Sequence, residues 1–198
     1  MNGGSNCEPP FFSCQKLMNC LDQLSDWTGV KAIPETWCSA EGDENSILLD
    51  VPSYCQTDSY SCGATAAYAV LKTFKPRADF ARFYADVRPL PKDGCGPRRV
   101  TAALEKFGVG VACKKNLTWK DICKNIDSGF PMLIGTGKED PKLQGDHWSV
   151  LYGYAVKPDR VFLSNQVSLL NQRIELRRSN FEKAWWNPVG KALVCWGK

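Results

Sequence analysis

Histidine is almost absent from this sequence: among 198 residues there is one, His147. Long apolar runs are absent too, since no stretch reaches the roughly 18 apolar residues that a membrane-spanning helix requires. The first six residues, MNGGSN, lack the basic and then apolar pattern of a secretion signal. We therefore expect a chain that resides in the cytoplasm, or one exported by a route that the sequence does not show, with no membrane partner.

A strong charge of one sign is also lacking. The 25 basic and 21 acidic residues leave a net charge of +4, and the basic pairs are scattered, so no nucleic-acid partner is expected. No P-loop glycine motif occurs. The N-terminal cysteines Cys7, Cys14, Cys20 and Cys38 are too widely spaced for paired zinc ligands. We expect neither a metal site nor a cofactor, and without a secretion signal we expect most of the ten cysteines to be reduced.

The composition is that of a globular protein, with 43% hydrophobic and 23% charged residues. The chain divides near Ser46. Residues 1–46 form a cysteine-bearing extension, with one amphipathic helix predicted from about Cys14 to Trp27, and residues 47–198 form the main domain. A pro-region, a partner-binding segment and a lid are all open roles for the extension.

The main domain begins with helical patterns and continues with strand patterns, which predicts the α+β class with an antiparallel sheet. Thr118 and Asp121 form a capping-box pattern, and 157–159 is a predicted hairpin turn. Helices are predicted at 62–74, 78–87, 98–107, 119–128 and 180–186, and strands at 47–52, 109–113, 131–135, 147–156, 160–165, 173–176 and 191–196.

Cys62 falls in the first turn of a predicted helix, with Ser61 placed to cap it. Unpaired N–H groups at a helix start stabilise a thiolate, so we expect the pKa of the Cys62 thiol to be lowered. Gly63 has no side chain to cover the backbone N–H groups at the helix start, which can donate to a developing oxyanion. Gln56 can supply a second hydrogen-bond donor to that oxyanion. The alternative is an inert buried cysteine.

His147 carries the one side chain whose ordinary pKa lies near neutrality, and it begins a predicted strand. It is the candidate base for Cys62. The predicted hairpin returns Asn165 to the same region, where its amide could fix the imidazole tautomer in a Cys-His-Asn arrangement. Gln166 and Asp146 are the competing third members. A core histidine and a turn asparagine are the alternatives without catalysis.

Three motifs together resemble the papain-like cysteine peptidase superfamily, and within it most closely the bacteriocin-processing peptidase domains that cut double-glycine leader peptides. They are VPxxxQxxxxxCGATA from Val51, HWSVLxGY from His147 and FLSN ending at Asn165. The resemblance covers about residues 47 to 196 and implies a papain-like fold. It assigns the oxyanion glutamine to Gln56, the nucleophile to Cys62 and the base to His147. Asn165 stands where those peptidases usually carry aspartate.

The resemblance implies a thiol-dependent hydrolase that cleaves peptide bonds in a protein or peptide through a thioester acyl-enzyme. We expect Gly63, Gly145, Asp146 and Trp148 to contact the substrate, since they adjoin the nucleophile or the base. Two alternatives remain: a glutamine deamidase, amidase or transglutaminase-like effector with the same triad, and a non-catalytic papain-like binding module. No exporter segments accompany the domain, which favours a stand-alone bacterial or phage-type enzyme, with delivery to another cell as an effector left open.

Overall fold

The structure is a computed structural model that describes residues 45–56, 58–136, 147–165, 173–185 and 192–198, with the backbone alone for Thr136, Asn165 and 183–185. All of them belong to one compact unit, Trp37–Lys198. The helix predicted at Cys14 to Trp27 lies outside the described residues. The predicted domain boundary near Ser46 stays a prediction.

The described residues contain five helices and seven strands. The helices are α1 (Cys62–Phe74), α2 (Phe80–Val87), α3 (Pro97–Lys106), α4 (Trp119–Asp127) and α5 (Arg178–Trp185). The strands are β1 (Ser46–Leu48), β2 (Val109–Lys114), β3 (Met132–Thr136), β4 (His147–Ala155), β5 (Arg160–Asn165), β6 (Arg173–Arg177) and β7 (Ala192–Gly197).

These elements confirm the α+β class, and most helix ends follow from local capping chemistry. The Thr118 hydroxyl accepts from the Asp121 N–H while the Asp121 carboxylate accepts from the Thr118 N–H, which is the predicted capping box of α4. α2 begins at Phe80, two residues later than predicted, because the Asp79 carboxylate accepts from the Arg82 N–H at 2.8 Å and so caps the helix there. None of the described helices combines the length and apolarity needed to cross a membrane.

The seven strands form one antiparallel sheet in the order β2-β7-β3-β4-β5-β6, and β1 pairs with the far end of β4. β4 and β5 form the predicted hairpin around residues 156–159. Their register places Asn165 opposite Ser149, and a bulge interrupts it between Leu151 and Gly153. The last residues of β5 therefore lie beside the first residues of β4.

Alternate residues of the sheet enter two different apolar cores, as the two-residue period of a strand requires. Val150 and Tyr152 of β4 belong to the core that contains α1, α2 and α3. Leu151, the residue between them, belongs to the core that contains α4 and α5. The first core lies under α1 and so fixes the start of that helix against the sheet.

Candidate active site

The start of α1 is organised by Asp58, four residues before the helix. Its carboxylate accepts from the Tyr60 N–H at 2.9 Å and from the Ser61 N–H at 2.7 Å, and it also accepts from the Tyr84 hydroxyl at 3.0 Å. Ser61 is the N-cap residue of α1, as predicted, but its side chain makes no cap hydrogen bond. Ser61 is fully buried, and the Asp58 carboxylate pairs with N–H groups of the turn before the helix rather than with those of α1 itself.

Cys62 is the first residue of α1 and is half-buried. Burial is the largest influence on its thiol and raises its pKa, while the backbone N–H groups of Trp148, Gly63 and Cys62 lower it and the charge of Asp58 raises it. The net pKa is raised, which corrects the expected fall. The N–H groups of the helix start do stabilise the thiolate, but the loss of hydration outweighs them.

Gly63 is glycine for a steric reason beyond leaving the backbone open. A Cβ at this position would lie 2.6 Å from the Cys95 Cβ and 2.9 Å from the Trp148 Cδ1, closer than carbon atoms approach without displacement. The Trp148 indole N–H donates to the Cys95 carbonyl at 3.0 Å. The loop between α2 and α3, the start of α1 and the start of β4 therefore meet at Gly63.

His147 is the first residue of β4 and is half-buried. The next residue, Trp148, directs its backbone N–H at the Cys62 sulfur and packs its indole against Gly63. The structure thus brings the segment that carries His147 to the segment that carries Cys62, although 84 residues separate the two along the chain. The helices and the sheet therefore meet where α1 and β4 begin.

Asn165 ends β5 and pairs with Ser149, two residues along β4 from His147. In an antiparallel pair, positions 147, 149 and 165 belong to the same face of the pleat, and diagonal neighbours of this kind are about 7–8 Å apart at Cα. The competing third members, Asp146 and Gln166, lie outside the described residues, as does Gly145.

Gln56 lies in the segment before α1 and is half-buried. Its side-chain Nε2 donates one hydrogen to the Asp58 carbonyl at 2.6 Å. Its Oε1 is buried, and no donor among the described residues reaches it.

Two residues of this site were missed by the sequence analysis. Cys95 is buried in the loop between α2 and α3, and burial raises the pKa of its thiol to about 11. No local sequence signal placed it beside Gly63. Asp58 had a usable signal, because aspartate followed by Ser-Tyr-Ser favours a turn in which the carboxylate accepts from N–H groups two and three residues ahead.

A helix that begins at a cysteine, packed against an antiparallel sheet whose strand begins at a histidine, defines the papain-like class of α+β cysteine hydrolases. The sequence model of the Peptidase_C39 like family matches residues 48–193. The chain belongs to that family, and it is an enzyme with cysteine peptidase function.

Solved structures show the same fold at low sequence identity. A C39-like peptidase from Bacillus anthracis is 14% identical, with a TM-score of 0.61 over 78% of this chain and 99% of that one. A double glycine motif protease from an AMS/PCAT transporter, in complex with its leader peptide, is 17% identical, with a TM-score of 0.58 over 76% and 94%. The peptidase domain of Streptococcus ComA, a bifunctional ABC transporter, is 15% identical, with a TM-score of 0.58 over 73% and 97%. No curated protein matches the sequence significantly.

Proposed function

We propose that this chain hydrolyses peptide bonds with Cys62 as the nucleophile, His147 as the general base and acid, and Asn165 as the residue that orients the imidazole. The observation that carries the proposal is the packing of the Trp148 indole, next to His147, against Gly63, next to Cys62. It ties the strand that begins with the chain's one imidazole to the thiol at the start of α1.

The first step follows from the raised pKa of the Cys62 thiol. Because the free thiol stays protonated near neutrality, the imidazole must take the proton from sulfur as the thiolate attacks the carbonyl carbon of the substrate. The sulfur–carbon bond forms and the carbonyl electrons move to oxygen. The backbone N–H of Cys62 and the second Nε2 hydrogen of Gln56 are the donors for this oxyanion, and each such donor is worth about 3 kcal/mol of barrier.

The second step uses the same groups in reverse. The carbon–nitrogen bond breaks, and the leaving amine takes the proton from the imidazolium, which leaves a thioester on Cys62. Water then loses a proton to the imidazole and attacks the thioester carbon. The sulfur leaves, regains the proton and releases a carboxylic acid, so the enzyme returns to its starting state.

Asn165 is proposed as the third member because of its register. It pairs with Ser149, which is two residues from position 147 along β4. Asn165 therefore belongs to the same face of the pleat as position 147 and is its diagonal neighbour across the strand pair. A neutral amide carbonyl accepts the second imidazole N–H without adding charge, and the nitrogen that faces sulfur is then free to accept a proton. Asn165→Ala should lower kcat more than it changes KM.

The substrate is proposed to be a peptide segment of a protein. A neighbour of the same fold is a peptidase in complex with a leader peptide. Gly63 borders the nucleophile with no side chain, and the crowding by Cys95 and Trp148 keeps it so. We extend the same substrate-contact role to Gly145 and Asp146, which precede the base in sequence.

The test is mass spectrometry of candidate proteins and peptides incubated with wild type, Cys62→Ala and His147→Ala. Peptide hydrolysis predicts backbone cleavage by wild type and none by either variant. Cys113 is exposed and remote in sequence from the site, so Cys113→Ala is the matched control and should cleave as wild type does.

Each other outcome overturns a stated part of the proposal. Deamidated glutamine or an amine adduct without backbone cleavage would replace hydrolysis by deamidation or acyl transfer. Cleavage by His147→Ala at the wild-type rate would remove the assigned base. Binding of substrate without any covalent change would assign the chain a non-catalytic role.

A further inference from the structure

Asp58 accepts four hydrogen bonds, which come from the Gln56 side chain, from the turn before Cys62 and from α2. Its backbone carbonyl accepts from Gln56 Nε2 at 2.6 Å. One carboxylate oxygen accepts from the N–H groups of Tyr60 and Ser61 at 2.9 and 2.7 Å, in the turn that leads to the nucleophile. The other accepts from the Tyr84 hydroxyl of α2 at 3.0 Å. Asp58 therefore contacts both the proposed oxyanion donor and the turn before Cys62.

The hydrogen bond to Gln56 decides which way its amide points. Nε2 has two hydrogens, and the Asp58 carbonyl occupies one of them, so the other has a fixed direction. The amide oxygen is buried and finds no donor among the described residues. Rotation of the amide would exchange these groups and place an oxygen against the Asp58 carbonyl, so the observed orientation is the one that this carbonyl selects.

The Asp58 carboxylate holds the backbone carbonyl of Asp58 in position. It pairs with two N–H groups of its own turn and with a hydroxyl on a separate helix, and hydrogen bonds to a charged acceptor are stronger than neutral ones. Tyr84 is itself held in an aromatic contact with Phe80, with ring centroids 5.4 Å apart. The turn between Gln56 and Cys62 is therefore anchored to α2 through one side chain.

We infer that Asp58 is a positioning residue for catalysis, which holds the Gln56 amide and the Cys62 helix start in one geometry through its carbonyl and its Tyr84-anchored carboxylate. The inference rests on the proposed function for its kinetic consequence. It predicts an unusual variant: Asp58→Asn should have a more acidic nucleophile and yet turn over more slowly.

The two effects have separate causes. The negative charge of Asp58 raises the pKa of Cys62, so its removal lowers that pKa. His147, next to the Trp148 that packs against Gly63, and Cys95, whose pKa is influenced by Cys62 and by Arg99, remain in the variant. Turnover falls because the amide introduced by Asp58→Asn cannot accept equally from Tyr84 and from the turn, which releases the Gln56 donor.

The experiment measures two quantities in wild type, Asp58→Asn, Tyr84→Phe and Asp79→Asn. The first is the pH profile of Cys62 alkylation by iodoacetamide, read at the Cys62 peptide by mass spectrometry. The second is kcat and KM for a peptide that wild type cleaves. Asp79→Asn is the matched control, because the Asp79 carboxylate also accepts from a backbone N–H, but that N–H is Arg82's, in α2.

We expect Asp58→Asn to move the alkylation profile to lower pH and to lower kcat by at least about tenfold, toward the roughly hundredfold that a misplacement of about 1 Å can cost. KM should stay within about twofold, since uniform substrate binding is not altered. Tyr84→Phe should lower kcat less and leave the alkylation profile in place, because the charge remains. Asp79→Asn should match wild type in both measurements.

The inference is overturned if Asp58→Asn turns over like wild type, if its alkylation profile does not move, or if Asp79→Asn loses as much kcat. Should Asp58→Asn fail to fold, Tyr84→Phe decides: wild-type kcat overturns the inference, and a lowered kcat at constant KM supports it. If wild type cleaves no peptide, the proposed function has failed, and the alkylation profile alone decides whether Asp58 acts on Cys62.

Discussion

Burial is the largest influence on the acidity of the Cys62 thiol. The helix start supplies N–H donors, as the sequence predicts, yet burial raises the pKa of the thiol above its ordinary value of about 8.5. The proposed nucleophile therefore depends on the proposed base for activation. This dependence can be measured without a substrate.

We expect His147→Ala to remove most of the reactivity of Cys62 toward iodoacetamide at about pH 7, near the ordinary pKa of imidazole. In that variant the thiol titrates on its own, and because its pKa is raised, the fraction of thiolate grows only as the pH rises above the ordinary thiol range. The rate at the Cys62 peptide is measured against that at exposed Cys113 in the same molecule, which serves as the reference thiol. Equal rates at Cys62 in wild type and variant would contradict the assigned base.

Trp148→Phe tests the contact between β4 and the loop that contains Cys95. Phenylalanine retains most of the packing against Gly63 but cannot donate to the Cys95 carbonyl, which is then a buried acceptor without a partner. We expect a loss of about 1–3 kcal/mol of stability and a fall in kcat with little change in KM. Urea unfolding and steady-state kinetics give the two values. Trp119→Phe is the control, since Trp119 lies in the other core, against Tyr154. Wild-type kcat in Trp148→Phe would show that the hydrogen bond does not affect His147.

At the scale of helices and strands, the sequence predicts most of the fold because the signals are local. The capping box of α4, the glycine after α3 and the turn between β4 and β5 each act within a few residues. The start of α1 is different. The turn before it is held by Asp58, which accepts from the N–H groups of Tyr60 and Ser61 and also from the hydroxyl of Tyr84, in a helix 26 residues further along the chain.

The candidate site also contains residues that the local sequence identifies and residues that only the fold brings together. The proposed roles of Gln56, Cys62 and His147 follow from residue type and spacing, because the proposed chemistry requires a donor, a nucleophile and a base. Cys95 cannot be found in this way, since nothing in the sequence around it distinguishes it from the other cysteines. Its importance arises from the approach of its Cβ to Gly63, which only the packed structure shows.

Thr118→Ala tests whether α4 affects stability alone. The substitution removes the hydroxyl that accepts from the Asp121 N–H, and loss of such a cap costs about 1 kcal/mol. The cap hydrogen bonds join Thr118 and Asp121 to each other and not to a residue of the candidate site, so kcat and KM should be unchanged. Urea unfolding and peptide cleavage measure the two effects. A large loss of kcat would mean that this helix is coupled to the site.

For the molecule as a whole, the two cores share one sheet, so we expect them to unfold together. Leu71 of α1 and Ile122 of α4 are both fully buried, in different cores. Replacing either by alanine should cost about 2–5 kcal/mol. Hydrogen exchange should show the loss at the slowest amides of both helices in each variant. A loss confined to the helix that carries the substitution would show that the cores open separately.

The crowding around Gly63 also constrains how this enzyme can change over generations. A side chain at position 63 has no space while Cys95 and Trp148 occupy theirs, so it is tolerated only after one of these neighbours has become smaller. The effect of a substitution at 63 thus depends on the residue 32 positions away at 95. Homologous sequences should therefore vary at these positions in a correlated way, and a library that randomises position 63 alone should recover glycine almost exclusively.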